Sequence, residues 1–416
     1  MIGNYNELSD QQRKNIDYFL QRADSNRLSI LHQKFNVQRA RNNIVFRENI
    51  IRDLMFGQIP FSNFMEWLGH VELEGNNSLF IYEAEEEDFL QDCSVETIYN
   101  KCEKLLTPLY DISPEELNKI RLVNVSKIES KNQVLLTIAA PSQVQVKKLD
   151  GQMELRNHVY LAYLIVDFNL KSVILFMHPT AGLASIYGES KRRDIDDVTW
   201  IILHFFRENV LGFTLKEPEW VVNALAKISE EYFYHNNPII EEKSEVFTKK
   251  HIPDLLKSLK KFDPDLDRQD SILRIKRALE NIYDSEMVVI HGRVTKEIPF
   301  KIFLQQTDRG LTQFKANTRG KALSHAEAAD IISLMWEHGE VLNVGLIHIE
   351  EEKEYPYIIK KLDKYFSLKK YTTSSTGKEV VDNVLRKLNK YKEEIESISL
   401  FTDLEDFGRG VDDSQA

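Results

Sequence analysis

The sequence predicts an α+β fold: an N-terminal helical domain, a central antiparallel sheet with packing helices, and a second C-terminal α+β domain. Three observations carry this reading. Residues 10 to 90 place apolar residues at helical spacing behind capping residues. From residue 120 the pattern changes to β-branched runs, with turn residues at 130–132, 141 and 150–151. Residues 236 to 270 carry Pro238, Pro253 and Pro264 among alternating charge clusters, and mixed helix and strand patterns resume beyond them. At 416 residues the chain exceeds one ordinary core, which suits two or three domains. The predicted boundaries are a mostly helical domain over 1–110, a sheet with helices over 115–235, a linker over 236–270, a second α+β domain over 271–400 and an acidic flexible tail over 401–416.

Taken in order, "LSDQQRKNIDYFLQRA" reads as a helix capped by Ser9 or Asp10. "RENIIRDLMFGQIPFSNFMEWL" gives one helix ending near Gly57 and another over Phe61 to Leu68. "NNSLFIYEAEEE" is a short strand running into acids, Glu83 to Asp88, read as a solvated linker or a helix start. "CSVETIYNKCEKLLTPL" is a helix stopped by Pro108. The stretch "VYLAYLIVDFNLKSVILFMHPTAG", residues 159 to 182, is the most apolar in the chain. A membrane-spanning helix needs about 20 mostly apolar residues without a break. Asp167 and Asn169 interrupt this run, so it predicts two strands, 159–167 and 172–178, joined by a tight turn within a meander of about four strands. "DIDDVTWIILHFFRENVL" is an amphipathic helix whose acidic first turn suits the helix dipole, and 219–235 is another helix. The last domain reads as a helix from 271, strands "FKIFLQQT" and "LTQFKANT", a helix "SHAEAADIISLMWEHG", a strand "VLNVGLIHIE", a helix over 355–366 and a final helix from Lys378 to about Ile398.

Charge and cysteine content narrow the function. A formal charge of −11 excludes a uniformly basic nucleic-acid coat but leaves room for a local basic face. Cys93 and Cys102 supply neither a disulfide framework nor a zinc site of the usual ligand count, which suits a reducing cytosol. The N-terminus lacks a basic stretch followed by an apolar one, so the expected location is cytoplasmic, away from membranes.

No HExxH, CxxC, GxSxG or GxGxxG occurs. Asp167, Glu189 and Lys191 match a loose D…ExK pattern, in which the carboxylates of a metal-dependent nuclease hold Mg²⁺ and the lysine sits beside the attacking water. That pattern is permissive, and 188–197 also reads as a loop into a helix. "TTSSTGKEVV" sets Ser375, Thr376 and Lys378 at a helix start, where free backbone N–H groups can seat a phosphate or simply be capped. It departs from a P-loop at Thr372 and Glu379. Basic residues cluster in two further places: Lys191, Arg192 and Arg193, and a C-terminal run including Lys369 and Lys370 with Tyr365, Phe366 and Tyr371 among them. Such a basic-aromatic run is either a nucleic-acid footprint or a solvated lysine face.

"RLSILHQKFNVQRARNNIVFRENIIRDLM", followed by the sheet strands and "DVTWIILHFFRENVL", resembles in order of elements the CENP-N family of inner-kinetochore proteins, over roughly residues 25 to 235. The resemblance implies a small helical domain, then an antiparallel sheet with helices, then a C-terminal part that pairs with a protein partner. It also implies DNA and histone contacts through basic residues of the helical domain and nearby sheet, with Arg39, Arg41, Arg47 and Arg52 the residues here at comparable positions. The leading expectation is therefore a non-enzymatic binding subunit of a nucleoprotein or larger protein assembly. It would have a protein partner, nucleic acid as a further ligand, a homo- or hetero-oligomeric state and no cofactor. The alternative is a nuclease-type effector of a host-defence system, using Asp167, Glu189 and Lys191 with Mg²⁺.

Overall fold

The computed structural model describes residues 6–85, 93–190, 195–233, 237–266, 268–292, 298–308, 313–319, 323, 340–372 and 376–409. The fold is α+β. The chain divides into two compact units, Met1–Pro218 with Leu362–Val381, and Glu219–Lys361 with Asp382–Ala416.

In the first unit, helices α1 (Asp10–Leu20), α2 (Ser25–Phe35), α3 (Asn43–Met55) and α4 (Phe61–Gly69) precede strand β1 (Ser78–Ala84). Side chains set several of the helix starts. Ser9 and Gln12 form a reciprocal capping box on α1, Asp24 caps α2 and Asn42 caps α3. Helix α5 (Val95–Glu103) follows, then strands β2 (Arg121–Ile128), β3 (Gln133–Lys147), β4 (Met153–Asp167), β5 (Ser172–Met177), β6 (Leu183–Ile186) and β7 (Glu189–Ser190), helix α6 (Thr199–Asn209) and strand β8 (Leu215–Lys216). All pairings here are antiparallel. β1 lies between β5 and a distant strand, Phe366–Lys370, and β4 lies between β5 and β3.

The apolar run is thus the β4–β5 hairpin at the centre of this sheet. Its residues are buried on both faces, which is why it does not alternate. One face, with Leu136, Tyr160, Leu164 and Leu175, packs on Ile98 and Cys102 of α5 and on Ile202 and Phe206 of α6. The other face is joined to the N-terminal helices. The Tyr163 hydroxyl accepts the Glu72 N–H at 2.8 Å, and the Thr137 hydroxyl donates to the Gly69 carbonyl at 3.0 Å. Arg22 of the α1–α2 turn donates to Glu72 through Nε at 2.7 Å and through a terminal nitrogen at 2.5 Å, and to the Val159 carbonyl at 2.6 Å.

The second unit holds α7 (Trp220–Phe233), α8 (Pro238–Val246), a π-helical turn Phe247–His251, α9 (Ile252–Phe262), α10 (Gln269–His291), and strands β9 (Lys301–Asp308), β10 (Gln313–Asn317), β11 (Glu340–Glu350) and β12 (Lys353–Lys361). The strands pair antiparallel in the order β10-β9-β11-β12. The strand at 366–370, here β13, returns to the first unit, and α11 (Lys378–Arg409) begins there and continues in the second.

Several predicted boundaries shift. The helical segment over 1–110 lies within the first unit, where the Gly69 carbonyl at the end of α4 takes a hydrogen bond from Thr137 of the sheet. The helix predicted over 219–235 belongs to the second unit. The predicted linker over 236–270 is largely helical: Pro238 opens α8, where the missing N–H has no helical partner to lose, and Pro253 follows the π-helical turn Phe247–His251. Residues 355–366, read as a helix, include most of β12 instead. Helix α11 extends to Arg409, past the predicted end near Ile398. The helix expected over 324–339 lies outside the described residues. No helix among the described residues is long and apolar enough to cross a membrane.

Candidate functional site

Of the D…ExK residues, Asp167 and Glu189 are described, and they stand apart. Asp167 is buried at the end of β4, where one carboxylate oxygen accepts the turn N–H groups of Asn169 at 3.0 Å and Leu170 at 2.9 Å, and the other accepts from the Gln133 side chain. That is the work of a turn-stabilising carboxylate. Glu189 is exposed on β7, in the strand row that passes through Ile186 and Ser142 to His158. His158 stands nine residues from Asp167 on β4, roughly 30 Å of strand at about 3.3 Å per residue. The two carboxylates therefore do not share one metal ion. Lys191, Arg192 and Arg193 lie outside the described residues.

The predicted anion seat is also built differently. Thr376 is buried, its N–H bonds to the Gly75 carbonyl at 3.3 Å, and its hydroxyl receives the Lys370 ammonium. Burial lowers the Lys370 pKa. Lys378 donates to the Gln133 side chain at 3.2 Å. Ser375 lies outside the described residues. Lys369 pairs with Asp196 at 2.5 Å and stands over the Phe80 ring. Tyr365 packs on Phe80 and Tyr82, and Phe366 is buried. The basic-aromatic run therefore folds into internal contacts around β13 rather than forming one outward face.

The four arginines carried by the family resemblance split into two kinds. Arg47 pairs with Asp17 at 2.7 Å and Arg52 with Asp53 at 3.1 Å. Arg39 and Arg41 occupy the α2–α3 connection, exposed and making no ion pair with any described residue. Beside them stand exposed Lys34, Ile44 and Val45, and the first turn of α3 holds no acid.

Sequence reasoning missed a cleft in the first unit. The outer edge of β3 changes partner: β2 pairs with it from Gln133 to Ala139, and β6 from Ser142 to Val144. At the junction stands Pro141, which has no N–H to give, and its carbonyl accepts the Tyr187 N–H at 2.7 Å. Between the start of β2, the β6–β7 turn and α6 lies a cavity of about 610 Å³. Trp200 and His204, four residues apart on α6, present their rings to it with centroids 6.4 Å apart. His204 pairs with Glu208 at 3.1 Å. Tyr187, Lys119, Arg121 and Glu189 line the cavity as well, all exposed. The turn dipeptide Tyr187–Gly188 was the available signal, but only folding sets it against α6. Among the described residues, no group of three or more His, Cys, Asp or Glu is placed to hold a metal ion.

No family model, no curated protein and no solved structure matches this chain.

Proposed function

We propose that the chain is a non-enzymatic binding subunit of a nucleoprotein assembly and that it contacts nucleic acid through the α2–α3 connection. The observation that supports this is Arg39 and Arg41, exposed and without ion pairs among the described residues, ahead of an acid-free helix start on a chain of net charge −11. A free guanidinium binds phosphate oxygens bidentately and releases counterions, while the surrounding negative charge holds down indiscriminate binding. The resemblance to the CENP-N family supports the same reading, since that family's helical domain supplies DNA contacts. For a protein partner, the second unit offers exposed apolar side chains at separate places: Phe262 at the end of α9, 87% exposed, and Val289 and Ile290 in the last turn of α10, 79% and 63% exposed.

Fluorescence anisotropy with a labelled duplex across a salt series tests the proposal. Replacing both Arg39 and Arg41 by alanine is expected to weaken binding and flatten the slope of log K against log salt by about 0.9 for each phosphate that is no longer neutralised. The paired residues Arg47 and Arg52 act as internal controls: Arg52→Ala leaves the slope unchanged. An absence of binding at low salt, or the same slope in the double variant, overturns the assignment.

A further inference from the structure

We propose that the cleft between α6 and the β6–β7 turn binds a nucleoside phosphate, either free or as the unpaired end of a strand. The inference stands apart from the Arg39–Arg41 reading, because different residues on different elements carry it.

Size and lining point to this class. A cavity of about 610 Å³ falls in the range of small-ligand sites, roughly 300–1,000 Å³. Trp200 is 52% exposed and Tyr187 49% exposed, so two large aromatic surfaces stand open to water at one place. Flat heteroaromatic rings stack on such faces. Lys119 and Arg121 line the same cleft and make no ion pair with a described residue, which provides for a phosphate. Glu189 likewise has no described cation beside it, while Glu208 is held by His204. A carboxylate next to a stacking surface accepts N–H donors from a base edge. A ring with N–H donors and an attached anion satisfies all three features together. A plain lipid or an aliphatic anion leaves the aromatic faces or the carboxylate unused.

The backbone adds a separate observation. β6 and β7 are joined by two residues, Tyr187 at φ 49° and Gly188 at φ 83°, both left-handed. This is the conformation of a type I′ hairpin turn, whose first position favours Asn, Asp or Gly. A bulky aromatic residue there is strained. Tyr187 lines the cavity, so the strain accompanies a residue that the hairpin does not require but the cleft can use.

Calorimetric titration of the whole chain with guanosine 5′-monophosphate, guanosine and a 5′-phosphorylated trinucleotide tests the site. Guanine suits the probe because it offers two N–H donors side by side. The monophosphate is expected to bind. Trp200→Ala weakens it roughly five- to hundredfold, the range of one base–aromatic stack. Arg121→Ala weakens the monophosphate and leaves guanosine unchanged. Tyr187→Asn raises the melting temperature, by relaxing the turn, while weakening the ligand. A purely structural tyrosine would lower both or neither. The Arg39→Ala/Arg41→Ala double variant binds the monophosphate as the parent does. Tighter binding of the trinucleotide assigns the cleft to strand ends, and equal or weaker binding assigns it to free nucleotides. No binding of any probe at millimolar concentration overturns the proposal, as does unaltered binding by a folded Trp200→Ala variant.

Discussion

The contact between Arg22 and Glu72 offers the sharpest test of how the first unit is held together. Both side chains are only 10% exposed. Arg22 makes two bonds to the carboxylate and a third to the Val159 carbonyl, so one guanidinium ties the α1–α2 turn to the segment after α4 and to the central strand β4. Burial pushes the Arg22 pKa down, but the facing Glu72 charge and its hydrogen bonds more than offset this, and the net shift is upward. Arg22→Met keeps most of the volume and removes the charge. Glu72 is then left buried without its cation, which destabilises by about 3–5 kcal/mol, and the orphaned Val159 carbonyl adds about 1 kcal/mol. Arg22→Met with Glu72→Leu replaces both partners by apolar groups, and the penalty is expected to shrink to about 1–2 kcal/mol, because a buried pair exchanged for packing is often near neutral. Urea unfolding followed by tryptophan fluorescence measures each corner of this double-mutant cycle. A cost below about 1 kcal/mol for Arg22→Met, or two single losses that simply add in the double variant, would refute the reasoning. Either result would mean that the pair is hydrated or that the two side chains do not act on each other.

Two further outcomes follow from the same physics. His70 and His158 are pushed down to about 4, first by burial and then by the nearby charges of Arg27 and Arg22 respectively. Asn124 donates to Nε2 of His70 at 3.0 Å, which requires the neutral ring. The unfolded chain takes these protons near pH 6.5 and the folded chain near pH 4, so stability falls as pH drops through that window. Each histidine contributes at most about 3 kcal/mol. Urea midpoints at pH 7 and pH 4.5 measure the fall, and His158→Gln is expected to flatten it. Asp167→Ala removes the acceptor of two turn N–H groups and is expected to lower unfolding free energy by about 2–4 kcal/mol while leaving duplex affinity unchanged. Denaturation and anisotropy on the same variant check both halves, and weakened affinity in a folded protein would restore Asp167 as a functional residue.

Much of the secondary structure was legible because it is local. Ser9, one of the two caps expected for the first helix, caps it, and Asp24, Asn42 and Ser94 are found to cap the helices that follow them. Asp167 and Asn169 marked the break between β4 and β5. Where local cues were weak, the reading failed. The β11–β12 hairpin turns on Glu351 and Glu352, both in left-handed conformation, instead of the usual Asn-Gly, so the sequence predicts a helix where β12 lies. The burial of Tyr357 and Ile359 shows the strand alternation that the lysines and Pro356 obscured.

The sequence by itself determined the α+β character, the assignment of the apolar run to two strands, and the scarcity of recognisable catalytic signatures. Only tertiary structure decided which charges are free. Lys369 meets Asp196 and Lys370 meets Thr376, whereas Arg39 and Arg41 meet no described acid. Tertiary structure also returned residues 362–381 to the first unit and set Tyr187 and Trp200 on one cleft. The physical reason is range. Periodicity and capping act over a few residues and are written in consecutive positions, while an ion pair or a cleft depends on which distant segments the buried sheet brings side by side.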